Sequence, residues 1–256
     1  MTTLTEQDVT QLDRLAELLF ERRSGVAFTG AGISTESGIP DYRGPDGIWK
    51  KIKPTMFRDF VTDPEIRLNH WKRRVERYPE LAAKQPNDGH RALARMQQLG
   101  FLQEIITQNI DGLHQKAGSD PENVIELHGS AHRVRCLQCG RLFDAEPFDR
   151  EFNGEEPICP VCGGIVKEST ISFGQSLVAD DLRRSLLVAR GADVMIVVGS
   201  SLTVNPAAKV PREAVKAGAE LAIINNQPTP LDDLAKVVVR SQSGPSLSYL
   251  ADRLIP

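Results

Sequence analysis

Aromatic residues are scarce in this 256-residue chain, at 5%, and cysteine is scarcer still, with four in all. So few cysteines exclude a small scaffold stapled by disulfides. No run approaches the roughly 18 apolar residues of a membrane span; the longest, Val194 to Val198, suits a buried strand. Neither sign of charge dominates: 31 basic against 34 acidic residues give a net charge of −3. That balance offers no electrostatic footprint for nucleic acid. The local clusters Lys50, Lys51, Lys53 and Lys72, Arg73, Arg74 read as solvated faces. The opening residues, Met-Thr-Thr-Leu-Thr-Glu-Gln-Asp, lack the basic-then-apolar pattern of a secretory signal. We therefore expect a soluble, cytoplasmic protein in a reducing compartment, monomeric, with no direct nucleic-acid or membrane partner.

Hydrophobic residues at 40% and charged residues at 25% suit one large domain, or a domain with an inserted module. Residues 6–23 carry apolar side chains at helical spacing. Six apolar runs read as strands: 25–29, 101–107, 124–127, 194–199, 221–225 and 236–240. Helices are expected at 64–78, at 88–99 with Asn87 or Asp88 as cap, and at 180–190. Another is expected at 206–217, with Asn205 as cap, Pro206 at the first helical position and a kink at Pro211. Strands alternating with helices imply an α/β fold, a parallel sheet covered on both faces. Segments 33–95 and 130–175 are too long to be simple crossovers. They are expected to meet near the C-terminal ends of the strands, where open α/β sheets bind ligands.

The most informative run, Gly30 to Trp49, begins straight after a strand as Gly30-Ala31-Gly32-Ile-Ser34. A Gly-x-Gly turn in that place lets backbone N–H groups approach a pyrophosphate. The usual dinucleotide fingerprint then fails, because Thr35 replaces its third glycine and no ribose-binding carboxylate follows a second strand. A polar loop containing Asp41 and Arg43 comes instead, so either a cofactor is handled by more than phosphate grip or this is a surface loop with glycine turns.

Cys136-x-x-Cys139-Gly and Cys159-x-x-Cys162-Gly form two identical knuckles separated by residues 140–158. This spacing fits one four-thiolate zinc, and four thiolates close the tetrahedron, making the metal structural. Two disulfides or a redox dithiol are the alternatives.

Polar residues crowd the expected strand ends. Gln108, Asn109, Ile110 and Asp111 follow one strand and could hold a ribose and a carboxamide, or Asn109 and Asp111 could cap a helix. His128-Gly129 follows the next, and His128 is the candidate general base, with a structural histidine as the alternative. Gly199, Ser200 and Ser201 end the most apolar strand, and Asn225 and Asn226 the one after it, within reach of an adenosine. Of the other histidines, His114 reads as structural or ribose-binding, His132 as marking the module boundary, and His70 and His90 as surface residues.

These blocks together resemble the sirtuins, NAD-dependent protein lysine deacylases. Gly30-Ala-Gly-Ile-Ser34 with Gly38-Ile-Pro-Asp-Tyr-Arg43, Thr107-Gln-Asn-Ile-Asp-Gly-Leu-His114, His128-Gly129, the paired Cys-x-x-Cys and Gly199 to Pro206 occur in the family's order, and the likeness spans about residues 25 to 250. The resemblance implies a doubly wound, six-stranded Rossmann-like sheet with a smaller inserted zinc-ribbon and helical module. The large lobe would take residues 1–32, 96–130 and 176–256, and the small lobe 33–95 and 131–175. It implies NAD as co-substrate, one zinc per chain and an acyl-lysine protein or peptide as partner. Around NAD it sets Gly30, Ala31, Gly32, Ser34, Tyr42, Trp49, Gln108, Gly199, Ser200, Ser201, Asn225 and Asn226. Asn109, Ile110, Asp111 and Asp41 would shape the nicotinamide and its ribose, and Arg43 would lie near the phosphates. His128 and Asn109 are its catalytic pair, and Tyr42, Ile171, Phe173, Gly174 and Val204 its acyl-lysine contacts.

The chain departs from the family pattern in three places. Tyr42 stands where phenylalanine is usual, Gln175 replaces a glutamate and Glu168 stands where many members carry proline. The Tyr-x-x-Arg pair of the desuccinylating branch is absent, since His70 and Trp71 precede Arg73 and Arg74 by three. Simple acyl groups such as acetyl are expected. Two other readings use the same cleft: an NAD or ADP-ribose sensor without turnover, and an ADP-ribosyltransferase or NAD glycohydrolase.

Overall fold

The structure, a computed structural model, describes residues 4–41, 47 and 54–255. Among these residues, six strands form one parallel sheet: β1 (Gly25–Thr29), β2 (Leu102–Thr107), β3 (Val124–Glu126), then β7 (Val194–Val198), β8 (Glu220–Ile224) and β9 (Val237–Val239). Their order across the sheet is β3-β2-β1-β7-β8-β9. The chain winds outward from β1 in one direction and later from β7 in the other, so a crevice opens where β1 and β7 end. A second, antiparallel sheet, β5-β4-β6, joins β4 (Arg133–Cys136), β5 (Leu142–Asp144) and β6 (Val166–Glu168). No helix is long and apolar enough to cross a membrane among the described residues.

Successive strand residues feed opposite cores, as a period of two requires. Ala27, Ile105, Ile196 and Ile224 pack with Leu12, Leu15 and Leu19 of α1 (Glu6–Arg22), Leu93 and Met96 of α4 (Asp88–Gln98), and Leu247 and Leu250 of α9 (Ser243–Arg253). Phe28, Ile106, Val197 and Ile223 pack with Ala189 of α7 (Ala179–Gly191) and Val210 and Ala214 of α8 (Lys209–Ala217). Because both faces are covered, β1 and β7 are buried along their whole length, and each reads in sequence as an unbroken apolar run.

Three expectations need correction. The helix expected from Pro206 begins at Lys209, and the Asn205–Pro206 peptide is cis. Pro211 therefore falls in the first turn, where its missing N–H leaves no intrahelical bond unmade, and it makes no mid-helix kink. Helix α3 (Pro64–Ala83) continues through Pro79 instead of stopping at Tyr78. Helix α4 lies in the larger core against α9, capped by Asn87, whose side chain accepts from the N–H groups of Gly89 and His90.

Candidate active site

Two glycine turns meet in the crevice. The N–H of Gly30 donates to Val198 O at 3.0 Å, and that of Gly32 to Gly199 O at 2.8 Å. A Cβ on Gly32 would lie 2.7 Å from the Gly199 Cα, and one on Gly199, which has φ +60°, only 2.4 Å from the Ile33 nitrogen. The two strand-end turns can approach this closely only without side chains. Gly32→Ala should therefore destabilise the fold by about 1–3 kcal/mol through overpacking. Gly191→Ala, where a Cβ meets nothing within 4 Å, should leave stability unchanged or slightly raised. Urea midpoints of the two variants check the contrast.

A 3-10 helix, Ala31–Ser37, leaves the first turn and aims Ser34 at the end of β2. The Ser34 hydroxyl donates to Asp111 Oδ2 at 2.7 Å and accepts from Asn109 Nδ2 at 3.0 Å. Asn109 Nδ2 also reaches Gly30 O at 3.2 Å. Gln108 ties β2 to β7 by donating from Nε2 to Ser200 Oγ at 2.7 Å. Asp111 Oδ1 accepts the Leu113 N–H at 3.0 Å, at the start of the short helix α5 (Leu113–Lys116), whose N-cap is Gly112, so this carboxylate ties the helix start to Ser34.

His128 lies two residues beyond β3. Its Nδ1 is 3.0 Å from the Gln108 carbonyl, which only accepts, so Nδ1 carries the hydrogen and Nε2 is the proton-accepting nitrogen of the neutral ring. The Ile171 N–H donates to the His128 carbonyl at 2.8 Å. A Cβ on the next residue, Gly129 (φ +72°), would stand 1.9 Å from Ser169 O. The imidazole is thus oriented from the large sheet, while the backbone that carries it is tied to the chain leaving β6.

His90 and His70 are not the surface residues expected. His90 is fully buried, with Nδ1 3.0 Å from Asn87 Oδ1 and Nε2 3.4 Å from Ser34 Oγ, and burial pushes its pKa down to about 4. His114 is buried beneath it, their ring centroids 5.0 Å apart, with Nε2 2.9 Å from Thr29 Oγ1; burial lowers its pKa too. Both are neutral props under the Ser34–Asp111 pair. A sequence signal for His90 existed: it precedes Leu93 and Met96 at helical spacing, on the core face of α4. His70 Nε2 lies 2.6 Å from Glu168 Oε2. His132 does sit at the module junction, donating from Nε2 to the Asp111 carbonyl at 2.8 Å and accepting the Tyr78 hydroxyl at Nδ1, also at 2.8 Å.

The strand-end groups, but not His90, His114 or His132, line one cavity of about 790 Å³. Gly30, Ala31, Gly32, Ser34, Asp41, Gln108, Asn109, Ile110, Asp111, His128, Gly199, Ser200, Ser201, Asn225 and Asn226 all reach it, with Ile171, Phe173, Gly174 and Val204. Tyr42, Arg43 and Trp49 lie outside the described residues. Ser241 and Ser243, after β9, also line it and were not singled out in the sequence; the strand-end rule that found Asn225 would have found them. So do His70, Arg73, Arg77 and Tyr78, which α3 brings in from the other side. Phe173 pairs with Met56 in a parallel bridge, and Gln175 Oε1 accepts the Ser172 N–H at 3.0 Å, closing the turn that presents this segment.

The four cysteine sulfurs lie within 4.8 Å of one another. Cys136 and Cys162 Sγ are 3.5 Å apart and Cys139 and Cys159 Sγ 3.8 Å, beyond the roughly 2.05 Å of a disulfide. A tetrahedral zinc with bonds of about 2.3 Å spaces its sulfurs at roughly 3.8 Å, so the set fits zinc. The N–H groups of Gln138 and Cys139 point at Cys136 Sγ, both at 3.4 Å, as donors to a thiolate do. Trp71 of α3 packs into the module with Val134, Cys136, Ala145, Cys159 and Val166. Arg74 clamps it from outside, with two bonds of 2.8 Å to Asp149.

A doubly wound sheet with a glycine cradle at its switch point, an oriented histidine opposite and a four-thiolate module define a two-lobed, dinucleotide-using enzyme. The chain belongs to the Sir2 family, whose sequence pattern matches residues 30–206. It is 45% identical over 237 residues to NAD-dependent protein deacetylase 1 of Bradyrhizobium diazoefficiens, covering 92% of this chain and 93% of that one. It is 42% identical to the NAD-dependent protein deacetylase of Rhodopseudomonas palustris, over 92% and 94% of the two chains. The crystal structure of a Sir2 homologue in complex with NAD superposes with a TM-score of 0.84 at 37% identity, covering 94% of this chain and 93% of that one. A Sir2 complex with a deacetylated p53 peptide and 3′-O-acetyl-ADP-ribose gives a TM-score of 0.80 at 36% identity, over 94% and 95%.

Proposed function

We propose that this chain is an NAD-dependent protein lysine deacetylase. It moves the acyl group of an acyl-lysine side chain to ADP-ribose, releasing nicotinamide, O-acetyl-ADP-ribose and the free lysine. The observation that carries this reading is the placement of His128, its Nδ1 turned to the Gln108 carbonyl, in a cavity shared with the glycine cradle. Nicotinamide leaves with the electron pair of its glycosidic bond and needs no protonation, so the reaction requires no general acid at the cradle. Asn109 and Asp111, locked together through Ser34, shape that leaving site. The acyl oxygen bonds to the anomeric carbon. His128 then accepts a ribose hydroxyl proton as that oxygen attacks the former amide carbon. Water completes the transfer, and lysine leaves with a proton. Zinc, when bound by Cys136, Cys139, Cys159 and Cys162, has no open position and holds the module in shape.

Mixing NAD with an acetyl-lysine peptide and following nicotinamide tests the reading. Peptide-dependent release is expected; release without peptide would mean glycohydrolase activity, and no release a sensor. Acyl preference gives a further expectation. Arg74 is held by Asp149 and the Ala131 carbonyl, and Arg73 donates to Thr55 Oγ1 at 3.1 Å, so neither stands as half of a carboxylate clamp. Acetyl-lysine should exceed succinyl-lysine at least about tenfold in kcat/KM, roughly 1.4 kcal/mol of transition-state discrimination. Parallel assays on one peptide check it.

A further inference from the structure

The cavity wall on the α3 side carries a charged group that the reaction does not use. Glu168, at the end of β6, lines the cavity with its side chain only 12% exposed. Its carboxylate accepts from His70 Nε2 at 2.6 Å and from the Thr170 hydroxyl at 3.1 Å. Carboxylates in this contact only accept, so His70 carries its hydrogen on Nε2. Lys167, 1% exposed, stands behind the wall, and its Nζ donates to Thr170 O at 2.6 Å and Glu168 O at 3.2 Å. Burial alone would raise the Glu168 pKa, but the Lys167 ammonium and His70 hold it well below the usual carboxylate range. Lys167, whose Nζ lies 3.9 Å from Glu168 Oε1, does not line the cavity, whereas Glu168 and His70 do, beside Arg73, Arg74 and Arg77 of α3.

This wall is continuous with the base. Thr170 binds Glu168, and the next residue, Ile171, holds the His128 carbonyl. An acyl chain lying between His128 and α3 therefore runs toward the Glu168 carboxylate in a water-poor wall, where like charges interact more strongly than in water. Of the arginines on that wall, Arg74 is paired with Asp149 and Arg73 is turned to Thr55. We propose that the Glu168 carboxylate, fixed by His70, is a specificity-determining group that selects against acyl groups carrying a carboxylate and admits neutral ones. Salt-bridging α3 to β6 is its structural role; the selection follows from which partner faces the cavity. This inference rests on the deacetylase reading.

Butyryl-lysine and succinyl-lysine peptides of one sequence present acyl chains of equal carbon count that differ in terminal charge. The unaltered chain should turn over butyryl at least about tenfold better than succinyl in kcat/KM. Glu168→Gln, nearly isosteric, should narrow that ratio at least about tenfold, chiefly by raising the succinyl rate. Thermal midpoints and zinc content verify that the variant folds. A change in the ratio of the two substrates, and not in both rates alike, is what a mere structural tie cannot produce. Equal butyryl and succinyl rates in the unaltered chain overturn the proposal without recourse to any variant, as does a Glu168→Gln variant that changes both substrates by one factor. Absence of nicotinamide release with every acyl peptide would instead overturn the deacetylase reading itself.

Discussion

His128→Ala should lower deacetylation by at least about 100-fold, within the range of 10²–10⁴ that a positioned general base contributes. NAD affinity should stay within about threefold of the parent. The physical basis is a division of labour among strands. The cradle is made by Gly30 and Gly32 after β1 and by Gly199 and Ser200 after β7, and their mutual contacts do not pass through the imidazole. His128 instead hangs from the Gln108 carbonyl through Nδ1. Removing the ring deletes the proton acceptor and frees one carbonyl at a half-buried position, which costs little stability. Isothermal calorimetry with NAD, beside nicotinamide release with an acetyl-lysine peptide, separates the two effects. Affinity lost in step with activity would assign His128 to the binding shell.

Cys139→Ala should cost the small module its fold before it alters any chemical step. The module's own core is slight: Trp71, Val134, Cys136, Ala145, Cys159 and Val166, two of them metal ligands. Zinc binding in comparably small domains supplies on the order of 10 kcal/mol of apparent free energy, which is folding free energy there. Losing one thiolate removes most of that and leaves three others to bind weakly or oxidise. The loss propagates, because β6 leads into Ser169, whose carbonyl occupies the place a side chain at residue 129 would need, and into Ile171, which holds the His128 carbonyl. Trp71 supplies the readout. It is fully buried and stacked on Phe148 with ring centroids 6.3 Å apart, so its emission should shift to the red when zinc is removed or Cys139 replaced. A metal-free protein that kept both this emission and full activity would refute the structural assignment of the zinc.

Arg67 and Arg74 make the same point about how α3 is tied to the cysteine module. Arg74 is bound to Asp149 and the Ala131 carbonyl, and Arg67 to Glu156. Arg74 reads in sequence as a solvated helix charge. Each arginine is nearly buried because its partner lies more than seventy residues away in the chain. No local pattern encodes such a pairing.

What the sequence by itself determined follows from local chemistry. Parallel strands buried on both faces must be unbroken apolar runs, so Gly25–Thr29 and Val194–Val198 were legible to within a residue. Paired Cys-x-x-Cys knuckles carry their metal geometry in their spacing, and polar residues placed straight after strands, such as Asn109, His128 and Ser200, reveal a ligand cleft by position alone. Tertiary structure alone decided the rest. It put His90 and His114 in the dark beneath Ser34, closed Gly32 on Gly199, and drew α4 into the main core. It also brought His70 of α3 against Glu168 of β6 in the wall of the cavity. Burial and long-range contact set the charge, tautomer and partners of these side chains, and both are properties of how distant segments pack, which a one-dimensional pattern does not contain.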